Sequence, residues 1–181
     1  MQGSLNISEY NTPIGLMYAC ADSQGVCLLE FSKNSIIEDN FLALEKRMNK
    51  KIQTGRNNHL DQLRNELIEY FEGQRKSFNV LLNPSGTVFQ LSVWDVLKQI
   101  PYGEKRTYKQ QAQKINNLPA IRAVASANGK NPISIIIPCH RVIGSDGSLT
   151  GYGGGLERKQ WLLEFESLIA GHATQEKIDF L

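Results

Sequence analysis

The sequence predicts an α+β protein in two parts. The first is a small amino-terminal α/β domain built on an antiparallel sheet. The second is a mostly helical carboxy-terminal domain that contains a helix-turn-helix. Three observations lead there. The first 31 residues read as short strands and turns, and the second half reads as a series of short helices. Asn83-Pro84-Ser85-Gly86-Thr87 is a turn-rich break between them, which sets the domains at 1–83 and 84–181. Charge changes at the same place. From Pro84 to Trp161 there are ten Lys or Arg and four Asp or Glu, a balance of +6; the rest has ten and fourteen, a balance of −4.

Each element has a local cause. Leu16 to Ala19 and Gly25 to Phe31 are apolar runs bounded by polar residues, and Asn11-Thr12-Pro13-Ile14-Gly15 is a turn, so a hairpin or small sheet is expected. Glu38 to Ile52 leans towards helix. His59 to Phe71 is a firmer helix, because Leu60, Leu63, Leu67 and Phe71 fall on one face and Gly73 stops it. Val80-Leu81-Leu82 reads as a last strand. Beyond the break, Thr87 caps a helix from Val88 to Gln99, which Pro101-Tyr102-Gly103 ends. Thr107 opens a short helix through Lys114. After the turn Asn116-Asn117-Leu118-Pro119, a second helix runs from Pro119 to about Asn128 and carries Arg122. Two short helices joined by a tight turn form a helix-turn-helix. Ile133 to Ile137 is strongly apolar and must be buried. Trp161 to Leu168 forms a final helix, and the last ten residues, with His172, form a tail.

Composition narrows the class. Hydrophobic residues are 41% and charged residues 21% of the 181, which suits a packed globular chain and rules out collagen or long disorder. No run of about 18 apolar residues exists, so no membrane span is expected. The start Met1-Gln2-Gly3-Ser4 has no secretory pattern. Three cysteines, Cys20, Cys27 and Cys139, are an odd count that leaves at least one thiol outside any disulfide. A reducing, cytoplasmic location is expected, or the nucleus in a eukaryote. The basic block suits an anionic partner for the second part alone.

Cys139 carries the best chemistry. It follows an apolar run and precedes His140, Arg141 and the glycine-rich Gly151-Tyr152-Gly153-Gly154-Gly155. A thiol titrates near about 8.5, and a cation or a helix amino end brings it into the useful range. Pro138 suits the first turn of a short helix, whose backbone N–H groups would face the sulfur. Neighbours on a helix point about 100° apart, so a bridging water would link Cys139 to His140. Glu166, on the polar side of the last helix, could fix the imidazole tautomer. A buried structural thiol and a core histidine are the plain alternatives. No Cys-x-x-Cys pair exists, and the glycine loop lacks dinucleotide or Walker spacing, so neither a metal nor a cofactor is expected.

These residues resemble a known family. Asn131-Pro132, Ile135-Ile136-Ile137-Pro138-Cys139-His140-Arg141-Val142-Ile143, the loop Gly151 to Leu156 and the later Lys159, Trp161-Leu162-Leu163 and Glu166 are similar to the O6-alkylguanine-DNA alkyltransferases. Pro101-Tyr102-Gly103-Glu104, Thr107-Tyr108 and Arg122-Ala123-Val124 match its helix-turn-helix. The strong resemblance spans about Phe89 to Glu166; Tyr10 to Gly15 carries a weaker one.

The resemblance implies a ribonuclease H-like domain at 1–83 and a DNA-binding, alkyl-transfer domain at 84–181. It implies irreversible transfer of an alkyl group from guanine O6, less readily thymine O4, to Cys139, with no cofactor. His140 and Glu166 would form the relay to the thiol, Asn131 a hinge, and Tyr108 a donor towards purine N3. Lys159 would serve the site, with Tyr152, Gly153, Gly154 and Val142 at the pocket. Arg122, with Ala123, Tyr108 and Arg141, would meet double-stranded DNA from the minor groove, and Arg122 would fill the gap left by a flipped base. A monomer is implied. Three other readings remain: a sensor that flips alkylated bases without transfer, a cysteine hydrolase, and a plain DNA-binding regulator.

Overall fold

The computed structural model describes residues 3–32 and 37–172. The end of the tail, 173–181, lies outside the described residues. The chain divides into two compact units, Met1–Ser85 and Gly86–Leu181.

The first unit is a four-stranded sheet in the order β3-β2-β1-β4, formed by β1 (Leu5–Thr12), β2 (Gly15–Ala21), β3 (Val26–Phe31) and β4 (Ile52–Thr54). β1 and β2 make a hairpin with Thr12 opposite Gly15, and Gly15 takes φ 118°, which its lack of a side chain permits. β3 is antiparallel to β2 with an irregularity at Cys20/Ala21. The edge strand β4 is parallel to β1, so the sheet is mixed at one side. The alternation along β1 serves both faces. Leu5 joins Cys20, Cys27, Leu28 and Leu44 in one apolar cluster, against which Phe41 and Met48 of α1 (Ile37–Met48) pack. On the other parity, the Tyr10 hydroxyl donates to the Leu60 carbonyl (2.8 Å) of α2 (Asn58–Phe71). Asn57 caps α2 by accepting from the His59 N–H.

Two local readings are corrected. The helix expected over Glu38 to Ile52 stops at Met48. Asn49 turns left-handed (φ 51°), and Ile52 enters β4. Asparagine tolerates that conformation, and the parallel pairing with β1 is a long-range contact that periodicity cannot see. Val80 to Leu82 supplies one bridge, Val26 with Leu82, rather than a strand.

The second unit holds α3 (Val88–Leu97), α4 (Tyr108–Lys114), α5 (Ile121–Gly129) and α6 (Leu156–Ile169). Thr87 and Thr107 close capping boxes with Gln90 and Gln110, which is why α3 and α4 start where they do. Asn116 takes φ 55° in the turn, and Leu118–Ala120, with Pro119, forms a single 3-10 turn before α5. Two buried polar groups tie these helices together. Trp94 Nε1 donates to the Ala127 carbonyl (2.9 Å), and Gln111 Nε2 donates to the Val93 carbonyl (3.1 Å). The short strands β5 (Arg106–Thr107) and β6 (Val142–Ile143) pair in parallel. α6 begins five residues before Trp161, directly after Gly155 (φ 96°), because Leu156 to Gln160 are all helix formers.

Candidate active site and nucleic-acid interface

Ile133, Ile135 and Ile137 are buried, as their apolar run requires, yet they form no strand. Ile135 adopts φ 71°, and the Ile136 N–H donates to the Ser134 carbonyl (2.8 Å) across it. That is a γ-turn with a β-branched residue in the left-handed region, a costly conformation. Two residues on, Pro138 (φ −83°, ψ 62°) makes an inverse γ-turn, with the Cys139 N–H on the Ile137 carbonyl (2.8 Å). The chain then closes one 3-10 turn over Cys139–Arg141 and enters β6. Two successive tight turns thus deliver Cys139 to its place.

A side chain supplies a hydrogen bond to the sulfur. Asn131 Nδ2 donates to Cys139 Sγ (3.1 Å) and to the Ile137 carbonyl (2.8 Å), while Asn131 Oδ1 accepts from the Ile133 N–H (3.0 Å). Two of the backbone donors expected at the thiol are occupied within the turns: Cys139 N on Ile137 O and Arg141 N on Pro138 O. Asn131 holds the γ-turn segment and the thiol with one carboxamide.

His140 is wholly buried, and its Nε2 lies 2.9 Å from Glu166 Oε1. Arg141 Nε and Nη2 donate to the same carboxylate at 2.7 and 2.9 Å, and the Gly103 N–H adds a fourth bond (3.3 Å). Burial alone would raise the Glu166 pKa; His140 and Arg141 outweigh it and hold the carboxyl well below the usual range. Burial lowers the His140 pKa against the pull of Glu166, with Arg141 and Lys159 adding to the lowering. The ring is therefore neutral, donates from Nε2, and keeps a lone pair on Nδ1. That Nδ1 is buried without a hydrogen-bond partner among the described residues.

Arg141, read from the sequence as a DNA contact, is corrected here. It is buried, bonds Glu166 twice and the Ile100 carbonyl (2.7 Å), and lies over the Tyr102 ring. Its guanidinium meets the Glu166 carboxylate from inside the unit.

Lys159 is also buried. Its Nζ donates to the carbonyls of Val142 (2.5 Å) and Thr150 (2.7 Å), and burial brings its pKa down to about 8. It sits 5.9 Å from the Tyr108 ring, whose hydroxyl donates to Thr150 O (3.0 Å). Burial raises the Tyr108 pKa, against its bond to Thr150. Lys159 and Tyr108 thus fasten one end of the glycine loop. Tyr152 is buried in a T-shaped arrangement with His140, 6.4 Å between centroids. Burial carries its phenol well above the ordinary range, and Cys139 adds to this. Gly153 is exposed, Gly154 is buried and accepts from Arg158 Nη1, and Val142 is buried. Arg122 and Ala123 are both exposed on the first turn of α5.

Cys20 and Cys27 stand apart from this chemistry. Both are wholly buried in the first unit, and burial pushes both thiols up to about 12. Among the described residues, no cluster of three or more His, Cys, Asp or Glu could hold a metal, and no helix is long and apolar enough to cross a membrane. Sequence reasoning missed Arg141's inward role, Thr150 as an anchor, and Asn128, which is buried on α5. The first was signalled only by its place between two apolar residues and a histidine.

A helix-turn-helix unit that embeds a cysteine beside a buried His–Glu–Arg cluster defines a class of protein, and comparison with known proteins gives its family. Residues 88–168 match the family described as 6-O-methylguanine DNA methyltransferase, DNA binding domain; residues 7–84 match the 6-O-methylguanine DNA methyltransferase, ribonuclease-like domain. The chain is 42% identical over 160 residues to the methylated-DNA–protein-cysteine methyltransferase of Methanosarcina acetivorans, covering 87% of this chain and 95% of that one. Against the Haemophilus influenzae protein of the same description, identity is 39% over 166 residues, with 91% and 88% covered. The crystal structure of Mycobacterium tuberculosis O6-methylguanine methyltransferase superposes with a TM-score of 0.76 at 36% identity, covering 96% of each chain. The M. tuberculosis OGT protein in complex with DNA gives 0.77 at 37% identity, covering 91% and 94%. The chain belongs to the 6-O-methylguanine DNA methyltransferase family.

Proposed function

We propose that this protein repairs double-stranded DNA by moving an alkyl group from guanine O6, and less readily thymine O4, onto its own Cys139, once per molecule. The observation that carries the reading is Cys139, held by Asn131, next to a neutral His140 whose second nitrogen is fixed on the Glu166–Arg141 pair. His140 Nδ1 takes the thiol proton through a bridging water. The thiolate attacks the alkyl carbon; the S–C bond forms, the C–O bond breaks, and the electron pair returns to the purine, which leaves as guanine by taking up the proton that His140 received, returned through water. Tyr108 turns its hydroxyl from Thr150 towards purine N3 to stabilise that leaving base. A thioether offers no hydrolytic return, so there is no second turnover.

The reactive atom lies inside a stacked duplex, so the base must be extruded. Arg122, exposed at the start of α5, fills the gap from the minor groove, with the small Ala123 allowing close approach. Gly153, Gly154, Tyr152 and Val142 line the receiving pocket, and Lys159 keeps its loop in place. The protein acts as a monomer in a reducing compartment.

Intact-protein mass spectrometry after incubation with duplex DNA carrying O6-methylguanine tests this. The expected result is a gain of about 14 Da mapped to the peptide with Cys139, at no more than one per chain. Lesion binding with an unchanged mass would replace transfer with the sensor reading.

A further inference from the structure

Asn128 is a buried polar residue of α5 that the transfer chemistry leaves unexplained. It is 2% exposed, and neither Nδ2 nor Oδ1 has a hydrogen-bond partner among the described residues. A carboxamide buried with both ends unmet carries a large penalty, and such a group in a folded protein calls for an explanation. Its position offers one. Asn128 lies on α5, the helix that presents Arg122 and Ala123, six residues after Arg122. Its carbonyl accepts from the Asn131 N–H (3.2 Å), and Asn131 is the donor to Cys139 Sγ. Its neighbour Gly129 faces the glycine loop: a Cβ placed on Gly153 would come within 4.0 Å of the Gly129 carbonyl oxygen. Asn128 therefore stands where the helix, the thiol segment and the loop meet. Among the described residues, His140 Nδ1 is another buried nitrogen left unmet.

We infer that Asn128 is a further substrate-binding residue, whose carboxamide hydrogen-bonds the edge of the extruded alkylguanine, and this rests on the transfer reading above. The chemistry is complementary. A carboxamide offers one donor group beside one acceptor, and O6-alkylguanine presents unprotonated ring nitrogens beside an exocyclic amino group. Binding the base relieves both unmet groups at once, so burial in the free protein is converted into selectivity for the flipped nucleotide.

The test uses the full-length variants Asn128→Leu and Asn128→Ala. Leu is nearly isosteric, and Ala cannot overpack the site. Each is measured for melting temperature and for single-turnover transfer, both from duplex DNA containing O6-methylguanine and from the free base, with the wild type in parallel. Removing an unmet amide should leave the melting temperature equal or higher, while transfer slows by about tenfold or more on both substrates. Slower transfer with a lower melting temperature in both variants would make Asn128 a structural residue and overturn the inference. Unchanged transfer would overturn it as well. A loss confined to duplex DNA would assign Asn128 to the helix's DNA contact and remove the base contact. If the wild type itself gains no mass, the transfer reading fails and takes this inference with it.

Discussion

Glu166 accepts hydrogen bonds from His140, twice from Arg141 and from the Gly103 N–H, at a position that is wholly buried. Replacing it by Gln would leave the Arg141 cation buried without a counter-charge, so Glu166→Gln should cost about 3–5 kcal/mol in urea unfolding. Acid should act through the same residues. Both His140 and Glu166 have folded pKa values below their unfolded ones. Their contribution is present above the unfolded values and is lost as pH falls towards the folded ones. The melting temperature should therefore decline from roughly pH 6.5 downward, where an unfolded histidine takes its proton, and further below roughly pH 4, where an unfolded glutamate does. A flat melting temperature between pH 7 and 5 would show that His140 is not held neutral. Cys139→Ala should abolish transfer while lesion binding, measured by gel shift, persists.

At the scale of elements, two helices have separable tasks. α4 starts at Thr107, whose side chain accepts from the Gln110 N–H while Gln110 accepts from the Thr107 N–H. Thr107→Ala removes half of that box and should destabilise the protein by about 1 kcal/mol in urea unfolding, with the transfer chemistry intact. α5 presents Arg122 from its exposed first turn. Arg122→Ala should slow transfer from duplex DNA far more than transfer from free O6-methylguanine; equal losses would remove the base-extrusion role. The two helices were legible because capping and Pro119 are local signals. β4 was not, because a three-residue strand is defined by its pairing with β1 rather than by its own pattern.

For the whole molecule, the thiol lies in packed surroundings, 6% exposed, with Asn131 on its sulfur. An added methyl group must displace that contact, and overpacking costs about 1–3 kcal/mol. The alkylated protein should melt several degrees below the unmodified one in calorimetry; an unchanged midpoint would show that the pocket already holds room for the group.

The chain's order of residues determined where turns and caps fall, that Cys139 adjoins His140 after a buried apolar run, and that charge gathers in the second part. Those follow from propensity, periodicity and spacing, which act over a few residues. Glu166 was legible from its polar position on the last helix and from the family resemblance, without its geometry. Its bond to His140 spans 26 residues. Tertiary structure decided the rest: Arg141 turned inward, Asn131 on the sulfur, Lys159 lodged between two carbonyls, and Asn128 buried unmet. Burial is the physical reason. Whether a charge or amide faces water or its partner depends on which segments pack over it, and packing is set by contacts far apart in the chain.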